Sequence, residues 1–474
     1  MQMISIVFLL FLAAILVILL AVNRFLKTDR QRARASQWVL LISSFLFAAY
    51  GDVRFALVLA LVSLISWACA GTKKAWILGI AAALAGLAYF KYTNFFLDTV
   101  GRLFGKEPLV LKLLLPLGIS FYTFSAISYL VDVHRGTVQK QNLLQTALYL
   151  SFFPKLTSGP IARCGDFFSQ TEKPRNICWE NFSAGAQIFA FGLFKKLVLA
   201  DHLSVFVNQV FRTPNVFSGL TVLLAVISYS LQIYLDFSGY SDIAIGAARM
   251  LDIQLPQNFN LPYFSHNVTE FWKRWHITLS SWLQDYLYIP LGGSRKGTFR
   301  AYLNLMIVML LGGLWHGASW NYVIWGLLQG GALVVHKLWC RRKGPKVYNG
   351  LTACLNILFT YCYVCFTWVF FRAESFSQAY AVLKAIFTWK PGVFQPYFWL
   401  FVALICCAAA AIAAIYRSRE LKTQLKKKNT SWVTGFYPLL DLNSFWGLTL
   451  FFVFCGLILG LAYTGGSPFI YGSY

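Results

Sequence analysis

The chain has 474 residues, 58% of them hydrophobic and 12% charged, with a formal net charge of +24. A soluble domain carries about 25% charged residues, so a soluble globular protein is excluded and a polytopic membrane protein is indicated. The basic excess sits in short segments between apolar runs, which points to basic cytoplasmic loops and away from nucleic-acid binding.

The N-terminal run MQMISIVFLLFLAAILVILLAVNRF lacks a basic start and is too apolar for too long to be a signal peptide. It reads as a retained first helix, about 3–22. The stretch RFLKTDRQRAR that follows holds five basic residues and places the cytoplasm at that end, with the N-terminus extracytoplasmic. Further apolar helices are predicted near 37–50, 54–70, 75–92, 110–132, 144–155, 183–200, 218–236, 302–315, 318–336, 350–372, 396–416 and 444–463. Spanning takes about 20 apolar residues, so the expectation is roughly 11 crossings plus re-entrant pieces. Basic segments at GTKK (71–74), KLWCRRKGPK (337–346) and RSRELKTQLKKK (417–428) mark further cytoplasmic ends. The tail TGGSPFIYGSY then falls on the extracytoplasmic face. No linker, separate soluble domain or internal repeat is visible, so 1–474 reads as one integral-membrane domain. The ten cysteines are scattered. Cys362 and Cys365 form a CxxC with no second pair, and read as small buried hydrophobes.

From Asp236 to Arg300 the sequence is too polar to face lipid and too aromatic for a solvated loop. Such sequence survives at membrane depth when it packs in protein or lines a wet cavity, and its ionisable residues are functional candidates. Lys273 and Arg274 read as interfacial anchors beside Trp272 and Trp275. Asp236 and Asp242 read as helix caps or partners of Arg249. Asn258 and Asn260 read as turn residues around Pro256 and Pro262. LGGSRKG (291–297) is a glycine-rich turn with a basic pair but without P-loop spacing. The six histidines are 134, 202, 266, 276, 316 and 336, and none pairs at metal-ligand spacing, so no metal is expected. His316 lies in GGLWHGASW, where surrounding small residues leave room for a group to approach the ring.

The blocks PLGISFYTFSAISYLVDVHRG (116–136), FFPKLTSGPIAR (152–163), YLDFSGYSDIAIGAARMLDIQLPQNFNLPY (234–263), EFWKRWHITLSSWLQDYLYIPLGGSR (270–295) and GGLWHGASW (312–320) resemble, in order, those of the membrane-bound O-acyltransferase superfamily, in its bacterial alginate and peptidoglycan O-acetyltransferase branch. The resemblance implies an all-α polytopic fold, a ring of helices around a central funnel or tunnel, with the core motifs in 116–336. It implies a multi-pass protein of the bacterial cytoplasmic membrane that moves acetyl from acetyl-CoA towards an extracytoplasmic envelope polysaccharide, directly or through a partner transferase. His316 takes the family's essential histidine position and acts as general base. His276 takes the second polar position, where it orients His316, polarises the thioester carbonyl or stabilises the oxyanion. Lys273, Arg274, Arg295 and Lys296 are candidates for the phosphates of CoA. The tail SPFIYGSY resembles a terminal FIYxxF motif of the D-alanylation system, in which the tyrosine is a proposed acyl carrier. That position is Tyr471 here, with Tyr474 in place of the final Phe. D-alanyl transfer to teichoic acid, and a transporter or flippase of envelope glycan precursors, are the alternative readings. The final acceptor stays open.

Overall fold

The computed structural model describes residues 1–107, 109–343, 349–395, 439–463 and 465. Within these residues the chain is helical, with a single isolated bridge between Phe217 and Val393. Among the described residues six helices are long and apolar enough to cross a membrane, and two shorter apolar helices accompany them. The protein is all-α and polytopic. The expected helix at 396–416 and the basic segment at 417–428 lie outside the described residues. The chain divides into two compact units, Met1–Ala190 with Tyr240–Pro256, and Phe191–Gly239 with the chain from Gln257 onward.

The first unit holds α1 (Ile6–Phe25), α2 (Asp29–Ala49), α3 (Val53–Cys69), α4 (Ala75–Leu103), α5 (Ile119–His134), α6 (Leu143–Ser151), α7 (Phe153–Leu156), α8 (Cys164–Thr171) and most of α9 (Trp179–Leu193). Local chemistry sets the boundaries. Ser5 caps α1 by accepting the Phe8 N–H. Thr28 and Gln31 form a reciprocal capping box at α2, which satisfies two of the donors orphaned at a helix start. The basic residues Arg30, Arg32 and Arg34 therefore lie in the first turns of α2 and not in a loop.

Two predicted helices are cut by the backbone. The stretch 110–118 is not helical, and α5 starts only at Ile119. Gly118 is left-handed (φ 74°) and the Leu156 carbonyl occupies the space a Cβ would need, so only glycine fits. The apolar run 144–155 breaks at Phe152, because Pro154 has no N–H to continue the ladder. Phe8 anchors the core of this unit, with its ring 6.1 Å from Phe47, 6.0 Å from Phe153 and 6.1 Å from Phe189.

The second unit begins with a π-helical turn, Phe194–Ala200, followed by α10 (Asp201–Arg212) and α11 (Gly219–Met250), whose last residues belong to the first unit. Then come α12 (Val268–Arg274), α13 (Ile277–Leu283), α14 (Thr298–His316), α15 (Trp320–Lys343), α16 (Gly350–Arg372), α17 (Phe376–Phe387) and α18 (Phe445–Leu461). Of the six long apolar helices α11 is the most enclosed, which explains how it tolerates polar residues.

One of those polar residues is Asp236. It neither caps a helix nor pairs with Arg249 in the way its sequence context suggests. The fully buried Lys196 ammonium lies 2.8 Å from Asp236 and 2.7 Å from Asp201. Gly239, one turn along α11, makes the approach feasible: a Cβ there would fall 2.9 Å from the Gly192 carbonyl and 3.2 Å from the Lys196 N–H nitrogen. Residues three apart share a helix face, so the glycine that admits the π turn also aims the aspartate at it. Breaking a buried ion cluster by removing one partner costs about 3–5 kcal/mol, whereas exchanging all members for neutral groups of similar size is tolerated. Lys196→Met is therefore expected to lower the unfolding midpoint of the detergent-solubilised protein strongly. Adding Asp201→Asn and Asp236→Asn should recover most of the loss.

Candidate active site

The polar middle folds into a non-helical rail and two short helices. The Asn258 carbonyl accepts the Ile277 N–H at 2.9 Å, and the Asn260 N–H donates to the Arg274 carbonyl at 2.9 Å. These bonds pair the segment around 258–260 with the break between α12 and α13. Asn267 caps α12 by accepting the Glu270 N–H. At the break His276 is left-handed (φ 44°), a conformation uncommon for any residue with a Cβ and a pointer to function when observed. Asn258 is not a turn residue: it is 2% exposed and its side-chain oxygen meets His276 and Thr278.

His276 is fully buried. Its ring stands edge-on to Phe237 at 4.7 Å and lies 6.2 Å from Trp315. Its Nδ1 is 3.0 Å from Asn258 Oδ1. The residue lies outside the six candidate spans. Burial, with no carboxylate among these contacts, pushes its pKa well down and keeps the imidazole neutral.

His316 is the last residue of α14 and is 3% exposed. Aromatic rings surround it: Trp315 at 5.0 Å, Trp325 at 5.2 Å and Phe371 at 5.2 Å. The two histidines thus flank one indole, that of Trp315, inside an aromatic box. The glycines beside His316 do not leave open space. A Cβ on Gly313 would fall 2.3 Å from the Tyr322 carbonyl, and one on Gly317 would fall 2.2 Å from the Tyr322 ring. They serve the close packing of α14 on α15, which holds His316 at the tip of the hairpin.

The basic candidates stand apart from this pair. Arg274 is bound by Glu270 at 2.7 Å. Lys273 is exposed, and so are Arg295 and Lys296 in the glycine turn. Among the described residues none of the four contacts either imidazole. Trp275, beside these cations in sequence, is 1% exposed and packs 5.0 Å from Trp368 and 5.1 Å from Phe259. Tyr471 lies outside the described residues. The remaining four histidines are occupied elsewhere: His134 stacks on Trp76, His202 stands edge-on to Tyr463 at 5.6 Å, His336 bonds Thr269, and His266 bonds Glu270. Sequence reasoning missed Asn258 as a partner of His276. The signal was its place in a polar stretch that had to be buried.

Two buried imidazoles in an aromatic box, that of His276 held neutral, suit proton transfer to and from a reacting group. The sequence model described as MBOAT, membrane-bound O-acyltransferase family, matches residues 51–371 and includes both histidines. The chain belongs to this family. It is 41% identical over 371 residues to the probable alginate O-acetylase AlgI of Pseudomonas aeruginosa, covering 74% of this chain and 70% of that one. It is 39% identical over 342 residues to the peptidoglycan O-acetyltransferase of Helicobacter pylori, covering 66% and 65%. With the teichoic acid D-alanyltransferase of Bacillus subtilis identity is 28% over 277 residues, covering 55% and 70%. The protein is a multi-pass membrane-bound O-acyltransferase.

The hairpin that carries His316 gives a direct check on this geometry. Gly313→Val is expected to drive α15 away from α14 and displace His316. The loss should appear as a lowered unfolding midpoint together with loss of acyl transfer. Gly331→Ala, at a position in the same hairpin with open space around it, should leave both unchanged.

Proposed function

We propose that this enzyme transfers acetyl from cytoplasmic acetyl-CoA across the bacterial cytoplasmic membrane for O-acetylation of an extracytoplasmic polysaccharide such as alginate or peptidoglycan. The observation that carries the reading is the pair of buried imidazoles flanking Trp315, in a chain about two-fifths identical to alginate and peptidoglycan O-acetyltransferases. D-alanyl transfer is the second reading, favoured only by the weaker match to the teichoic acid enzyme.

In the proposed step His316 is the general base. The acceptor oxygen attacks the thioester carbon as its proton passes to His316. The oxygen–carbon bond forms, the carbon–sulfur bond breaks, and the proton then goes to the departing CoA thiolate. Lys273, Arg295 and Lys296 are exposed cations free to meet CoA phosphates, and Arg274 must first exchange Glu270 for them. Tyr471 is the proposed acceptor of the first transfer. A phenol has a pKa of about 10, so a base is needed to draw its proton near neutral pH. With both termini extracytoplasmic, acetyl-Tyr471 would present the group to a partner transferase while CoA stays inside.

The test is mass spectrometry of the C-terminal peptide after incubation of purified protein with acetyl-CoA. Wild type is expected to gain one acetyl on Tyr471, and His316→Ala, folded to the same midpoint, to gain none. Acetylation undiminished in His316→Ala removes the base assignment. CoA release without acetyl on Tyr471 removes the carrier and keeps the enzyme.

A further inference from the structure

Asn258 Oδ1 is 3.0 Å from His276 Nδ1, 2.9 Å from Thr278 Oγ1 and 3.3 Å from the Thr278 backbone nitrogen. The last contact decides the chemistry of the first. A backbone N–H only donates, so the amide atom facing it is oxygen and not nitrogen. An amide oxygen only accepts, so the ring nitrogen beside it must carry a proton. A neutral imidazole with Nδ1–H has its lone pair at Nε2. His276 Nε2 is buried and makes no hydrogen bond among the described residues, a state that costs free energy until a donor arrives.

We propose that Asn258 is a positioning residue for acyl transfer, holding His276 in the Nδ1–H tautomer so that Nε2 works as an acceptor of hydrogen bonds and protons. The inference rests on the acyl-transfer reading and deepens it. Of the roles open to His276 at the sequence level, polarising the thioester carbonyl and binding the oxyanion both need a donor at Nε2, and the neutral ring has none there. Accepting an N–H from His316, which leaves that ring's other nitrogen to take the proton of the incoming hydroxyl, needs the lone pair that Asn258 secures. The ring's other neighbours, Phe237 and Trp315, carry no titratable group. Asp236, next to Phe237 in sequence, is bound by Lys196, so Asn258 alone directs the proton.

Two measurements test this. The first is the nitrogen-15 spectrum of histidine-labelled wild type, with His276 assigned by its disappearance in His276→Gln. It reads the tautomer with no acyl transfer required. Nδ1–H is expected, and Nε2–H overturns the proposal. The second compares Asn258→Asp and Asn258→Leu. Aspartate keeps an acceptor for all three bonds and adds a charge beside Nδ1–H. That charge favours imidazolium and raises the ring pKa. The nitrogen-15 titration of His276 in Asn258→Asp should therefore fall at a pH about one unit or more above that of wild type, and a titration superimposable on wild type overturns the proposal. Leucine removes the acceptor, and kcat should fall by about tenfold or more with donor KM little changed. If wild type shows Nδ1–H at His276 yet transfers no acetyl from acetyl-CoA, the proposed donor fails while the tautomer assignment stands.

Discussion

Backbone pairing in a buried, non-helical segment is the constraint on which the rest depends. A buried peptide N–H or C=O left unpaired costs free energy comparable to a lost hydrogen bond or more, and a segment with two prolines and a left-handed histidine cannot pair its own groups as a helix does. The chain solves this with the Asn258–Ile277 and Asn260–Arg274 bonds. They hold α12 and α13 on either side of the break, keep His276 out of helical geometry, and bring the Asn258 amide onto its ring. Removing the rail would leave no reason for the imidazole to point where it does.

Charge is handled by the same logic. Lys196 buries its ammonium between two aspartates, and a π turn with a facing glycine supplies the geometry. An ordinary α-helical register would carry the lysine round the helix axis, and such insertions in helices recur at functional positions. Asp236 is thereby committed, and the polar middle is left with neutral groups around His276. The aromatic residues follow: Trp315, Trp325 and Phe371 pack against the histidines, and Trp368 and Trp275 pack behind them.

Much of this was legible in the residues. Apolar run length gave the long helices, and the ordered blocks around His276 and His316 gave the family. The two cut helices were misread because hydropathy does not register a backbone atom standing where a Cβ would be, as at Gly118, although Pro154 was visible. For Asp236 the local pattern offers a helix cap or Arg249, whereas its partner Lys196 lies forty residues away, in the π-helical turn. The glycines of GGLWHGASW looked like room for substrate and proved to be room for Tyr322. Asn258 looked like a turn residue because asparagine beside proline usually is one. Its burial is a tertiary fact that no local pattern carries.

The aromatic box has a consequence for fidelity. A lone pair that accepts a proton from an acceptor hydroxyl accepts one from water equally well, and an activated water would hydrolyse the acyl donor. Whether the enzyme transfers its acyl group or wastes it is then decided less by the histidines than by what Trp315, Trp325 and Phe371 keep out. On this view the indoles and the phenyl ring are the enzyme's guard against futile hydrolysis, and their bulk sets the ratio of product formed to donor consumed.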